Sequence, residues 1–435
     1  MNRANSNKNV LMPSYDFPPM GTPGALRAAK FARYLPKYGW NPYVVTCKLG
    51  SSATLGLEDH EHLEDVQIVR SLDWKRVLKK ARPVANPISQ PQENHHPAWY
   101  RRLLAFAVGK AMFPDHGITW YPSAVREASR IARHTCVDVV YSSSPNISNH
   151  LVAGKIAKRY QVPWVAEFRD LWAIDSESVL DKWTQMRCKR SELAIVRQAN
   201  RIVVVTENQK SAMLKAYPEL ASKIVVIRNG FDPADVKNIE TSPPATRLVL
   251  THCGSLYGGE RKTGPLLQAI ANLKEQGLLS QNCFQLDFVG PAEQHLVNQI
   301  DNLDLSSVVK CVGKVSYQES LRRMAKSSAV LIIVHTSRIG ISAVPTKFYD
   351  SLAVRRPMLA LVKKGYETEE LVSSLDVGKV IDPDDSGAIE KWIAKELLRI
   401  SHGEHLQGLD PNVANKYSRE QRTADLAEVF NGICE

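Results

Sequence analysis

Short runs of β-branched and other apolar residues recur along this chain at intervals of roughly 20 to 40 residues, with helix-period patterns between them. No other feature restricts the fold as much. Strands separated by helices pair in parallel through crossover connections, so the chain is expected to build doubly wound α/β sheets. Strands are expected at 9–14, 43–47, 66–70, 138–142, 164–168, 202–206 and 224–227, then at 248–253, 285–289, 309–312, 330–334, 358–362 and 379–381. Between the two sets lie Gly230-Phe-Asp-Pro-Ala and Thr241-Ser-Pro-Pro, a polar, proline-rich stretch that reads as a linker. A chain of 435 residues is also too long for one ordinary core. The expectation is therefore two Rossmann-like doubly wound domains facing each other across a cleft. They would span 1–235 and 245–410, with a C-terminal helical segment, 411–435, that could pack back on the N-terminal domain.

Composition narrows the class. Hydrophobic residues at 44% and charged residues at 23% suit a soluble globular protein. The longest apolar runs, such as 329–334, fall far short of the ~20 residues that span a bilayer. Residues 1–8 are polar, unlike a signal peptide. Seven cysteines, an odd number without paired spacing, point to reduced thiols in a cytoplasm and away from disulfide scaffolds and zinc ribbons. The formal net charge of +11 leaves nucleic acid, an anionic membrane surface or a phosphorylated small molecule as partners.

Part of that charge is concentrated in a segment at about 70–115 that breaks the alternation. From Arg70 to Lys110 it carries Arg70, Lys75, Arg76, Lys79, Lys80, Arg82, Arg101, Arg102 and Lys110, against only Asp73 and Glu93. Within it, Trp99-Tyr-Arg-Arg-Leu-Leu-Ala-Phe-Ala-Val-Gly-Lys-Ala-Met-Phe113 mixes apolar and aromatic residues with arginines. Such a helix can lie in a lipid headgroup layer, and it can equally be a solvated insertion packed on its own domain.

Four motifs could carry chemistry. In Tyr15-Asp-Phe-Pro-Pro-Met-Gly-Thr-Pro-Gly-Ala-Leu-Arg27, Gly21 and Gly24 let the backbone approach a ligand, and Arg27 lies one turn into the next helix; a plain turn fits as well. Glu167, Arg169 and Asp170 stand at the C-terminal end of an expected strand, where a parallel sheet borders its ligand crevice. A carboxylate there can move a proton or orient a hydroxyl. The bland alternatives are an internal ion pair or a helix cap. After strand 248–253, glycines 254, 258 and 259 precede Arg261 and Lys262 at a helix start, which suits a diphosphate. The most specific signal is Val344-Pro-Thr-Lys-Phe-Tyr-Asp350. Pro345 should be the first helical residue, free amides near Thr346 and Lys347 should face an anion, and Asp350 one turn on could hold the two hydroxyls of a ribose.

Histidines add less. His60/His62 and His95/His96 sit in polar surroundings with no matching third ligand, so no metal site is expected. His150, His252 and His335 lie at strand ends or a helix start and could touch a substrate.

In order along almost the whole chain, these motifs resemble the GT-B glycosyltransferases of the family-4-like group that builds bacterial surface polysaccharides. The resemblance rests on the Tyr15-Asp-Phe-Pro-Pro glycine loop, Leu35-Pro-Lys-Tyr-Gly-Trp-Asn-Pro-Tyr-Val-Val-Thr46, Ser142-Ser-Ser-Pro, Glu167-Phe-Arg-Asp-Leu-Trp, Arg228-Asn-Gly-Phe-Asp232, Gly254-Ser-Leu-Tyr and Pro345-Thr-Lys-Phe-Tyr-Asp. It implies transfer of a sugar, hexosyl or N-acetylhexosaminyl, from a nucleoside-diphosphate sugar such as a UDP-sugar to a lipid-linked or oligosaccharide acceptor. Retention of configuration, no metal or other cofactor, and a place in the cytoplasm or on the inner face of its membrane are implied with it. The base would lie near His252 and Val315, the ribose on Asp350, and the diphosphate between Arg261/Lys262 and Thr346/Lys347. The Gly21–Gly24 loop would close on the phosphates. The first domain would take the acceptor, with Arg27, His150 and Glu167 lining it and Asp170, beside Arg169, orienting its hydroxyl.

Two positions depart from the pattern. Ser342 stands where relatives often carry a glutamate, eight residues before the ribose carboxylate, and Arg169 where many carry a histidine. They leave open a non-catalytic nucleotide-sugar-binding subunit; a sugar-nucleotide 2-epimerase is a further alternative. Nucleic-acid binding would explain the charge but not the 345–350 motif.

Overall fold

The computed structural model describes residues 7–20, 22–48, 63–75, 112–175, 181–242, 244 and 246–435. Gly21, His60, His62, His95, His96 and most of the basic segment at about 70–115 lie outside them. All seven cysteines are free thiols.

The chain divides into two compact units. The first holds seven strands: β1 (Lys8–Pro13), β2 (Trp40–Cys47), β3 (Gln67–Ser71), β4 (Val139–Ser143), β5 (Trp164–Phe168), β6 (Arg201–Val204) and β7 (Ile224–Val226). They form one sheet in the order β3-β2-β1-β4-β5-β6-β7. The second holds β8 (Leu248–Cys253), β9 (Phe284–Val289), β10 (Val309–Gly313), β11 (Ala329–Ile333), β12 (Met358–Leu361) and β13 (Gly378–Ile381), in the order β10-β9-β8-β11-β12-β13. Every pairing in both sheets is parallel. The doubly wound α/β reading is borne out, and each expected strand is present with its ends shifted by a few residues at most.

The central strands are buried end to end, as in Trp164-Val-Ala-Glu-Phe168 and Ala329-Val-Leu-Ile-Ile333, because helices cover both faces of a parallel sheet. Alternate residues feed the two sides. In the first unit Leu11, Val45, Val140 and Ala166 join one core, while Val10, Val44, Val139 and Val165 join the other. In the second unit Leu248, Leu286, Leu331 and Leu359 serve one side, and Val330, Ile332, Met358 and Ala360 the other. Edge strands β3, β10 and β13 instead carry several exposed or half-buried positions.

The boundary differs from the sequence expectation. The division falls between Ile227 and Arg228, ahead of the proline-rich stretch, and Thr206–Ser211 count with the second unit. Phe231 is the reason: it is buried in a core of the second unit, and its amide and carbonyl bond to Tyr417 and Arg419. The C-terminal segment forms two helices, Pro411–Asn415 and Arg419–Cys434. Residues up to Arg422 belong to the second unit and Thr423–Glu435 to the first.

Candidate active site

In a doubly wound sheet the ligand crevice lies outside the carboxyl ends of the strands, where the strand order reverses. That point is between β8 and β11 in the second unit. β8 ends in His252-Cys253, and Gly254 follows at φ +127°, a conformation that L side chains rarely adopt. A Cβ on Gly254 would lie 3.8 Å from Lys347 Cε and 3.9 Å from Arg261 Nη1, so backbone, lysine and arginine converge here.

The loop beyond is held by Glu293, which the sequence reading missed. Its carboxylate accepts from Ser255 Oγ at 2.8 Å, Leu256 N at 2.6 Å and Gly258 N at 2.7 Å. Burial works against the charge, yet these donors hold the carboxyl below its ordinary value. Tyr257 lies 4.9 Å from the Arg261 guanidinium, whose Nη1 donates to Ser255 O at 3.0 Å and whose Nε is buried without a partner. Lys262, by contrast, pairs with Asp384 at 2.7 Å in an exposed network with Lys363 and Asp382. Only one of the two adjacent cations therefore joins Lys347.

The helix Thr346–Ala353 begins one residue later than expected, because Pro345 is extended (ψ 143°) and occupies the cap position. No side chain caps it, and its first internal bond runs from Phe348 N to Pro345 O at 3.0 Å. The amides of Thr346 and Lys347 thus precede the helix ladder, at its positive end. Thr346 is exposed. One turn on, Asp350 is 5% exposed; its Oδ2 lies 3.3 Å from Lys347 Nζ and its Oδ1 accepts from Tyr317 OH at 2.9 Å. Burial and this carboxylate push the Tyr317 phenol well above its ordinary value.

His252 is 2% exposed and packs on Phe288. Its Nδ1 lies 3.1 Å from Leu331 O and must carry the proton there, which leaves Nε2 a buried lone pair without a partner. Burial, aided by the Arg261 charge, lowers its pKa to about 4, so the ring is neutral near pH 7. His335 instead sits against the Glu260 carboxylate and accepts from Ser337 N at 3.2 Å.

The segment leading into the Thr346 helix is tied down by residues with no motif to reveal them. Tyr366 OH bonds Thr336 O at 3.1 Å, Asn208 Nδ2 bonds Ile341 O at 3.0 Å, Thr206 Oγ1 bonds Ser342 O at 2.9 Å and Thr368 Oγ1 bonds Ala343 O at 3.1 Å. Beneath them the buried Glu367 carboxylate accepts from the amides of Glu207 and Asn208 and pairs with Arg228.

In the first unit the order reverses between β1 and β4. Three residues expected to line an acceptor are interior instead. Glu167 has no exposed surface; its Oε1 accepts from Arg27 Nε at 3.0 Å and Nη2 at 2.7 Å, and its Oε2 from Tyr141 OH at 2.7 Å and Ser143 Oγ at 2.6 Å. Burial alone would raise this carboxyl, but Arg27 and the four hydrogen bonds lower it. Arg27 is spent on that pair and on Ile227 O. His150 is also fully buried, with Nδ1 2.8 Å from Ser142 Oγ. Trp164 Nε1 donates to the same oxygen at 2.9 Å, and His150 Nε2 is buried without a partner. The physical reason is common to all three: their side chains turn into the sheet layers, where polar groups must be satisfied internally.

Arg169 and Asp170 follow directly on β5, and Arg169 is half-buried. Arg169 Nε donates to Ser144 O at 2.5 Å and its amide to Ser144 Oγ at 3.0 Å. A Cβ on Gly24 would come within 2.7 Å of Arg169 Nη2, so this glycine makes room for the guanidinium. Asp170 is exposed. Asp16, missed by the sequence reading, accepts from Asn146 Nδ2 at 2.9 Å while its Oδ1 is buried without a partner. Among the described residues no group of three His, Cys, Asp or Glu could hold a metal ion, and no helix is long and apolar enough to cross a membrane.

Residues 25–235 match the model of Glycosyltransferase Family 4. No curated protein matches the sequence. Among solved structures, sucrose-phosphate synthase from Thermosynechococcus elongatus aligns over 98% of this chain and 99% of its own, with a TM-score of 0.65 and 13% identity. A glycosyltransferase from Rickettsia africae aligns over 99% and 100%, at 0.63 and 15%. HepE from Anabaena, solved in complex with UDP-glucose, aligns over 98% and 99%, at 0.60 and 16%. At these identities the structures speak for the fold, and the family model speaks for the first half of the sequence. Over residues 25–235 the sequence is thus similar to family-4 glycosyltransferases, and the whole chain has the GT-B fold of the solved structures with which it aligns.

Proposed function

We propose that the chain transfers a hexosyl or N-acetylhexosaminyl group from a nucleoside-diphosphate sugar, most simply a UDP-sugar, to a lipid-linked or oligosaccharide acceptor in surface polysaccharide biosynthesis. One observation carries this reading: in the second unit the Gly254 backbone, Arg261, Lys347 and the uncapped helix end at Thr346 converge one turn from the buried Asp350. Two cations and a helix N-terminus suit a diphosphate, and a carboxylate one turn below suits the hydroxyls of the attached ribose. HepE, whose structure contains UDP-glucose, shares the fold and supports the choice of donor.

In this reading Arg261, Lys347 and the helix dipole neutralise the departing diphosphate without a metal ion, and configuration is retained. His252, neutral, borders the donor. Asp170 orients the acceptor hydroxyl, with Arg169 fixed beside it by Ser144. The enzyme works in the cytoplasm, peripherally on the inner membrane face.

The test is a melting screen against nucleoside diphosphates, since a ligand at ~100 times its Kd stabilises the native state by about 2.7 kcal/mol. UDP should raise the melting point, and Lys347→Ala or Asp350→Ala should abolish the rise. If both variants respond like the parent, the donor site is misassigned. Ser342, which lacks the carboxylate common in relatives, favours a second reading as a non-catalytic donor-binding subunit. Release of free UDP from a UDP-sugar in the presence of acceptor separates the two.

A further inference from the structure

Exposed large apolar side chains are ordinary singly and informative when contiguous. In the first unit Trp74 is 53% exposed, Leu72 and Trp183 45% each, and Met186 44%. Close contacts run between the segments that carry them. Lys75, next to Trp74, places Nζ 3.3 Å from Met112 Sδ. Phe113, next to Met112, lies 5.9 Å from Trp172 and 4.0 Å from the Arg187 guanidinium, which also lies 4.6 Å from the Trp183 ring. A chain of contacts thus leads from Lys75, beside Trp74, through Met112, Phe113 and Arg187 to Trp183.

The helix Lys182–Gln198 gives this surface its charge. Trp183, Met186 and Arg190 are spaced three and four apart and share one face, and Lys182 and Arg190 are exposed. The one carboxylate inside the helix, Glu192, is buried and engaged by Ala173 N and Tyr217 OH. Asp181, ahead of it, caps the amides of Trp183 and Thr184. The exposed side of the helix is thus indole, thioether and cations.

The geometry points to this surface as the one that docks the chain on an anionic phospholipid bilayer. Tryptophan prefers the headgroup level, methionine and leucine reach the acyl boundary, and lysine and arginine stay with the phosphates. A nucleic acid would use the cations and the rings but has no place for Leu72 and Met186. This inference rests on the proposed lipid-linked acceptor and names the surface that would bring the enzyme to it.

Flotation of the full chain with vesicles tests it. The parent should float with phosphatidylglycerol-containing vesicles and bind pure phosphatidylcholine vesicles roughly tenfold more weakly. A Trp183→Ser, Met186→Ser double variant should lose about tenfold in vesicle binding, and Arg190→Glu should lose several-fold at low salt. In both variants the UDP-insensitive transition, that of the first unit, should melt as in the parent, which shows that the unit carrying the substitutions folds. The docking surface is overturned if the parent stays unbound, or if the double variant floats as well as the parent. If UDP fails to shift the parent while vesicle binding follows the expected pattern, the donor reading falls and the surface stands.

Discussion

His150 sits among Ser142, Trp164 and Phe168 with no exposed surface, and burial pushes its pKa down to about 3 despite the nearby Glu167 charge. Its folded value is depressed, so the sign is settled. Above the unfolded value of 6.5 both states are neutral and the contribution to stability is complete. Below it the unfolded chain takes up a proton that the native state refuses, and stability falls by about 1.4 kcal/mol per pH unit until the native ring titrates near 3. A His150→Gln variant should be less stable at neutral pH, yet its stability should fall less steeply between about pH 6.5 and pH 5, by close to one proton. Urea melts of the first unit's transition across that range provide the comparison. Identical slopes would mean that the ring is not held neutral. Sequence reasoning could place His150 near a strand end but not foresee its role. Whether a helix-start histidine faces solvent or Phe168 depends on packing from segments far away in the chain.

At the level of elements, the strands were the legible part. Trp164–Phe168 and Leu248–Cys253 announce themselves as apolar runs, because a buried parallel strand must be apolar on both faces. The start of the Thr346 helix was misplaced by one residue, since a proline fixes φ but leaves ψ to the surroundings. Supports formed between distant segments were illegible. Glu293 looks like any surface glutamate, yet it shapes the loop after β8 through three hydrogen bonds. Glu293→Ala should leave those donors to water, free Ser255 and with it the carbonyl that anchors Arg261, and weaken UDP binding by roughly tenfold, a cost of about 1.4 kcal/mol. Calorimetric titration with UDP reads this directly. Unchanged affinity would show that the loop keeps its shape without the carboxylate.

At the scale of the molecule, alternation along the sequence revealed two α/β halves, but the proline-rich stretch at 241–244 proved a poor guide to where they divide. Buried contacts set the boundary, and Phe231 lies on the far side of it. The same principle governs the C-terminus. Thr423–Glu435 complete the first unit although almost two hundred residues of the second precede them. Leu426 and Phe430 have no exposed surface, and the Phe430 ring packs edge-on against Trp40 at 5.2 Å and Tyr141 at 5.8 Å. Lys8 Nζ meets Asn431 at 3.4 Å, so the last helix also holds the start of β1. Phe430→Ala should therefore cost the first unit about 3–5 kcal/mol, the usual range for an emptied aromatic site. For a body of this size that is a drop of roughly 10 °C in melting point. Scanning calorimetry with and without UDP separates the units, because the donor stabilises only the one that binds it. The expected trace has the UDP-insensitive transition moving down while the UDP-sensitive one stays in place. If the UDP-sensitive transition falls instead, or neither moves, the C-terminal helix does not stabilise the first unit in the way its contacts imply.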